Sequence, residues 1–266
     1  MAYYKNPITR YLLRKNIFKR VKSRLYGYQR LFSKDAFDDI KFLEHDQLVS
    51  TIFDVGANIG FVTYQFQKRF PSADIYAFEP NPYVFKKLKN NYHKEVKIHP
   101  LQLGIGDINE SLEFNINNNS GTSSFLIPNK YHRSHMAKRI KEQREVPVTT
   151  IDEFCKREKI NHIDILKLDI EGYELKALLG ANTLLSNQHI DIIYTEVNVI
   201  PSYEGQPLFH ELTKYLEEKN YFVYNIYSFI AQETPIRQAV LGNATFISGK
   251  FRETLENKFG SKNCGW

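Results

Sequence analysis

From residue 50 onward the chain alternates short β-branched or aromatic runs with helical stretches, and this pattern constrains the fold more than any other feature. Thr51 to Val55 reads as a buried strand, followed by a helix to about Arg69. Asp74 to Glu79 is the next strand, then a helix from Asn81 to Tyr92, then a strand from Val96 to Leu103. Ile163 to Asp169 is a fourth strand with a helix after Gly172, and Ile190 to Val197 a fifth with a helix around Phe209 to Lys219. Tyr221 to Tyr227 and Ala244 to Ser248 complete seven. Such alternation predicts an α/β fold, a mostly parallel seven-stranded sheet with helices on both faces. Between the third and fourth strands lies a different stretch. Ser111 to Ile116 has strand character, Gly121 to Phe125 follows an Asn-rich turn, and residues 130–144 set six Lys or Arg against the single acid Glu142. An inserted hairpin and a mobile basic loop are expected at about 108–147.

The net charge of +6 is unevenly placed. Residues 1–34 hold ten Lys or Arg and no Asp or Glu, while the rest of the chain carries 26 basic and 30 acidic residues. The basic character therefore belongs to an arm. A nucleic-acid enzyme usually spreads positive charge along its substrate cleft, so nucleic acid is not expected as a partner. In the arm, Ile17, Phe18, Val21, Leu25 and Tyr28 share one helical face. Two readings fit: a helix that packs on its own domain or on a second subunit, and a helix that rests on anionic lipid at the inner membrane face. The Arg-rich start also resembles an organelle transit peptide, though it is poor in Ser. A second helix is expected after Ser33 as N-cap, from Asp35 to about Gln47. The divisions are an arm over 1–48, a main domain over 49–249 and a tail over 250–266. Two cysteines without ligand spacing point to a reducing, cytoplasmic setting and no structural zinc. No apolar run approaches the roughly 18 residues of a membrane span, and no secretory signal is expected.

Open α/β sheets bind ligands at the carboxyl ends of their strands. Asp54 ends the first strand, and Gly56, Asn58 and Gly60 form the turn into the first helix. Glycine lets backbone approach a ligand closely, Asn tolerates the left-handed conformation, and the helix start offers amides to a carboxylate. Asp54 is placed to attract an ammonium, directly or through water. Glu79, one crossover later, is placed to accept hydrogen bonds from two ribose hydroxyls. S-adenosylmethionine carries all of these groups. A nicotinamide dinucleotide fits less well, because Asn58 breaks the G-x-G-x-x-G fingerprint. Asn81, Gln102 and Gly104, after the second and third strands, complete the expected donor-side set.

Taken in order, Asp54 to Gly60, Ala77 to Pro82, Gly121 to Ser124, Val148 to Phe154 and Ile163 to Glu174 resemble the FkbM family of methyltransferases. Lys167-x-Asp169-x-Glu171-Gly172-x-Glu174 is the most specific part, and the resemblance covers roughly residues 50–200. It implies a Rossmann-like, class I methyltransferase fold. It also implies methyl transfer from S-adenosylmethionine, usually to a hydroxyl of a sugar, glycolipid or natural product. The acceptor is not fixed by it.

A hydroxyl acceptor must lose its proton, to a base or through metal coordination. Asp169, Glu171 and Glu196 end the fourth and fifth strands beside the donor turn and are the expected catalytic residues, with Asn198 nearby. Either Asp169 or Glu171 serves as a carboxylate base, or Asp169, Glu196 and Asn198 hold magnesium. Structural roles compete: Asp169 could fix the Glu-Gly turn, Glu171 could cap the next helix, and Glu174 is read as structural. Lys167 pairs with an acid or reaches a sheet edge. His132 and His135 sit in the basic loop, and His210 is a further candidate base. Asn81-Pro82-Tyr83 resembles the motif of enzymes that methylate base amino groups, but it follows the second strand rather than the fourth. The basic loop is expected to close over an anionic acceptor.

Overall fold

The computed structural model describes residues 35–44, 48–129, 140–231 and 238–259. The strands are β1 (Thr51–Val55), β2 (Asp74–Phe78), β3 (Ile98–Leu101), β4 (Gly104–Ile105), β5 (Glu110–Asn117), β6 (Ile140–Thr149), β7 (Ile163–Leu168), β8 (Ile190–Asn198), β9 (Tyr221–Ala231) and β10 (Ala239–Ser248). The helices are α1 (Ala36–Leu43), α2 (Phe61–Arg69), α3 (Pro82–Tyr92), α4 (Ile151–Glu158), α5 (Glu174–Leu179), α6 (Asn182–Ser186), α7 (Phe209–Glu217) and α8 (Gly249–Phe259). A seven-stranded sheet has the order β3-β2-β1-β7-β8-β10-β9, with β10 antiparallel to both neighbours and the remaining pairs parallel. This is the expected α/β, class I architecture.

The apolar runs are continuous because the central strands are covered on both faces. Phe53, Val55, Leu166 and Leu168 point to one side, where α4, α5, α6 and α7 pack through Phe154, Leu178, Leu185 and Leu216. Ile52, Ile75, Ile165 and Ile192 point to the other, where α1, α2, α3 and α8 supply Ile40, Phe66, Leu88 and Phe251. The segment expected as a tail is thus in part a helix, with Phe251 and Leu255 buried on the sheet.

Three local departures have physical causes. The third strand is shorter than expected, because Val96 sits in a turn, 88% exposed, and the chain leaves the large sheet after Leu101. It then enters a second sheet, β4-β6-β5, in which β5 pairs antiparallel with β6, a strand the sequence did not signal. Residues 140–144, expected in the mobile basic loop, instead lie in β6 and pair with Phe114 to Asn117. Their charged side chains face outward, and the buried residues of β6 come later, at Val146, Val148 and Thr149. Helix α4 was not expected from periodicity. Thr150 caps it by accepting from the Glu153 amide at 3.1 Å. Helix α1 is capped by Asp35, whose side chain accepts from Phe37 N at 2.9 Å. The basic arm, Ser33, Gln47, His132, His135 and residues 130–139 lie outside the described residues.

Candidate active site

The turn after β1 is built by backbone that only particular residues tolerate. Gly56, Asn58 and Gly60 all have positive φ, at 76°, 51° and 96°. A Cβ on Gly56 would lie 1.9 Å from the Asp169 carbonyl oxygen, so the turns after β1 and β7 touch there. Behind this turn Asp54 and Lys167 face each other across paired positions of β1 and β7. Lys167 is buried, its Nζ 3.0 Å from Asp54 Oδ1, and it donates to the carbonyls of Gly56 (2.9 Å) and Val55 (3.2 Å). Burial works against the ammonium, but Asp54 and Asp169 outweigh it and hold Lys167 above its usual range. The second oxygen of Asp54 accepts from Thr63 Oγ1 at 2.6 Å. Asp54 is fully buried and does not line the cavity in front of the turn. It braces the turn through Lys167 and is not placed for the direct contact with an ammonium expected of it.

That cavity, about 240 Å³, is lined by Gly56, Asn58 and Glu79 together with Asp169, Glu171 and Glu196. Gly104 also lines it, with no room for a side chain beside the Phe125 ring. Glu79 is held by two backbone amides, Asn58 N to Oε2 and Asn81 N to Oε1, both 2.9 Å. Burial pushes its carboxyl up to about 7 against those amides. Asn81 itself is a buried N-cap, accepting from Tyr83 N at 3.1 Å, and Gln102 is exposed; neither lines the cavity. These two therefore depart from the expected donor set.

Asp169 and Glu171 sit on the turn after β7, which is held from outside, and Glu196 sits near the end of β8. Glu171 has φ 53° and Gly172 φ 98°. Glu174, buried, accepts from Ile170 N (3.0 Å) and Gly172 N (3.3 Å), so this residue fixes the Glu-Gly turn rather than Asp169. The N-cap of α5 is Tyr173, so Glu171 does not cap that helix. Ser124 Oγ donates to the Glu171 carbonyl at 2.8 Å, and Tyr203 Oη donates to Glu171 Oε2 at 2.7 Å. Burial, with the Glu171, Asp169 and Glu174 charges, raises the Glu196 carboxyl well above the carboxylate range. Asn198 Nδ2 donates to Glu196 Oε1 at 3.2 Å and does not line the cavity. Tyr203 carries no motif of its own in the sequence, and only the fold brings it to Glu171. His210 is exposed and outside the cavity.

The donor set fits S-adenosylmethionine: a glycine turn without side chains, a helix start and a buried acid at the end of β2. Of the expected metal set, Asp169 and Glu196 line the cavity, while Asn198 donates its amide to Glu196 Oε1 and leaves its buried Oδ1 without a hydrogen-bond partner. No step of the chemistry is assigned to magnesium at these residues.

Comparisons with known proteins return methyltransferases. The 2-O-methyltransferase NoeI of Sinorhizobium fredii is 25% identical over 176 residues, 61% of this chain and 72% of that protein. The methyltransferase sdnD of Sordaria araneosa is 25% identical over 73% of this chain and 80% of its own length. The hexuronic acid methyltransferase AglP of Haloferax volcanii is 25% identical over 66% of this chain and 65% of its own length. Among solved structures, M. capricolum TrmK in complex with S-adenosyl-homocysteine aligns at a TM-score of 0.46 and 15% identity, over 88% of this chain and 77% of that one. The Methyltransferase FkbM domain matches residues 54–223, from the end of β1 to the start of β9. The chain belongs to the FkbM family and is an S-adenosylmethionine-dependent methyltransferase.

Proposed function

We propose that this enzyme methylates a hydroxyl of a sugar, a glycan or glycolipid, or a related natural product. The observation that carries this reading is the carboxylate group Asp169, Glu171 and Glu196, which lines the same cavity as Glu79. Bound at the Gly56–Glu79 side, S-adenosylmethionine supplies a methyl group already activated on sulfur. What the protein must add is position and a proton acceptor. Glu79 accepts the ribose hydroxyls, the start of α2 receives the carboxylate, and Gly56 admits the close approach of the methionine part. Glu196 takes the acceptor proton. Its burial among like charges gives it a proton affinity far above that of an exposed carboxylate, which suits a general base. The carboxylates also favour a sulfonium over the neutral thioether left after transfer. NoeI and AglP, named for a 2-O-position and for a hexuronic acid, support a sugar hydroxyl as acceptor.

Assay against a panel of glycans and glycolipids with methyl-labelled donor tests the reading. It expects label on an oxygen; label on nitrogen alone, or no transfer to any glycan, counts against it. An anionic acceptor is part of the proposal. Arg144 is engaged by Glu142 and Tyr83, so Arg133, Lys138 and Arg139 are the groups assigned to it. Their replacement by Ala should raise acceptor KM and spare donor affinity.

Two contacts extend the proposal. The basic arm meets anionic lipid, which flotation with phosphatidylserine vesicles at low and high salt would report. Among the described residues no helix is long and apolar enough to cross a membrane. The edge strand β9 exposes Phe222, Val223, Ile226, Phe229 and Ile230, a surface suited to a second copy of the chain. Light scattering of the purified protein tests that contact; a monomer at all concentrations contradicts it.

A further inference from the structure

A second group of ligand-type side chains lies at the amino-terminal ends of the strands, away from the cavity. His162 precedes β7, Asp164 is the second residue of β7 and Asp191 the second of β8. Parallel pairing of Ile163 with Ile190 sets these strand starts side by side. His162 Nε2 is 2.9 Å from Asp191 Oδ2 and 4.0 Å from Asp164 Oδ1, and one ligand atom from each residue lies within 4.8 Å of the others. Asp164 is fixed in place, because its Oδ2 accepts the amides of Ser50 (2.9 Å) and Thr51 (2.8 Å).

A histidine hydrogen-bonded to an aspartate would account for the shortest of these distances. It does not account for Glu44. Glu44, at the end of α1, is 4% exposed, and its Oε1 has no hydrogen-bond partner among the described residues. The charges that act on it are the Asp191 and Asp164 carboxylates, so three acids are gathered around one imidazole. Lys250 on α8 contributes positive charge near His162. One lysine and one imidazole do not supply a ligand to a buried carboxylate oxygen, and leaving such an oxygen bare is costly.

We propose that a divalent cation of the zinc or manganese class binds here, held by His162 Nε2, Asp164 Oδ1 and Asp191 Oδ2, with the buried Glu44 carboxylate adding negative charge beside them. An imidazole with carboxylates suits these ions, whereas magnesium and calcium favour oxygen alone. The site ties the start of β7 to the start of β8, at the end of the sheet opposite the chemistry, so its role is structural. The absence of any Cys/His ligand spacing in the sequence pointed away from structural zinc. These ligands come from two strand starts that meet only in the fold. The Cys155 thiol is buried and pushed up to about 12, which makes it no competitor for the ion.

The test uses the untagged full chain carrying Cys264→Ser, stripped with chelator and titrated calorimetrically with zinc chloride and with manganese chloride. One equivalent of either ion should bind, and Tm should rise in its presence. His162→Gln and Asp191→Asn, checked for folding by circular dichroism, should each weaken binding by about tenfold or more. The proposal is overturned if neither ion binds, or if either variant binds as the parent does; Glu44 then simply keeps a proton. If a variant fails to fold, X-ray absorption on the zinc-loaded parent decides. Nitrogen and oxygen ligands at about 2.0–2.2 Å support the site, and a sulfur shell refutes it.

Discussion

Tyr203 and Asn198 each hold one carboxylate of the acceptor side, Glu171 and Glu196 respectively. Neither lines the cavity, so both are positioning residues. Tyr203 is 1% exposed, and its ring volume is kept in Tyr203→Phe. A hydrogen bond to a charged group is worth about 1.5–3 kcal/mol, so that variant should lose roughly tenfold or more in kcat. Its donor Kd should stay unchanged, and the pH profile of kcat should move, which a purely structural role would not cause. Glu196 must be ionised to accept a proton, and its carboxyl is raised well above the usual range. The rate should therefore be low in acid and climb as pH rises above the ordinary carboxylate range. A kcat that is flat across that interval would contradict the role given to Glu196.

At the scale of elements, the turn after β1 is held by the buried Lys167–Asp54 pair and by the two carbonyls that Lys167 caps. Removing one partner of a buried pair leaves the other charge uncompensated, at a cost of about 3–5 kcal/mol. Lys167→Met should lose stability of that order in denaturant unfolding, and adding Asp54→Asn should recover part of it. How much of this was legible in sequence varies by element. The strands β1, β2, β7 and β8 stood out because both faces are buried, leaving few polar interruptions. The donor turn stood out because positive φ at residues 56, 58 and 60 demands Gly and Asn. Strand β6 did not, because its first half has one charged face and no apolar one. Asp54 looked like a ligand because it ends a strand beside a glycine turn. Only the register with Lys167 shows that its charge is already matched. Tyr203 could not have been chosen among 17 tyrosines without the fold.

For the whole molecule, buried carboxyls set a pH dependence. Burial pushes Glu79 and Glu174 up to about 7 from an ordinary value of 4.5. A carboxyl raised on folding contributes stability that is fully present below the unfolded value and is lost as pH rises through the folded one. The donor-free protein should therefore have a lower Tm at pH 8 than at pH 6, by differential scanning calorimetry; a Tm that rises over that interval would contradict these assignments. In the proposed mechanism one cavity serves both donor binding, at Gly56 to Glu79, and proton removal, at Asp169 to Glu196. Parallel measurement of donor Kd and of kcat in Glu79→Gln and Glu196→Gln tests that assignment most directly. The account predicts that Glu79→Gln weakens donor binding by about tenfold with kcat largely kept. It predicts that Glu196→Gln keeps donor binding and lowers kcat by about 10²–10⁴. Unchanged kcat in Glu196→Gln, or unchanged donor affinity in Glu79→Gln, would contradict it.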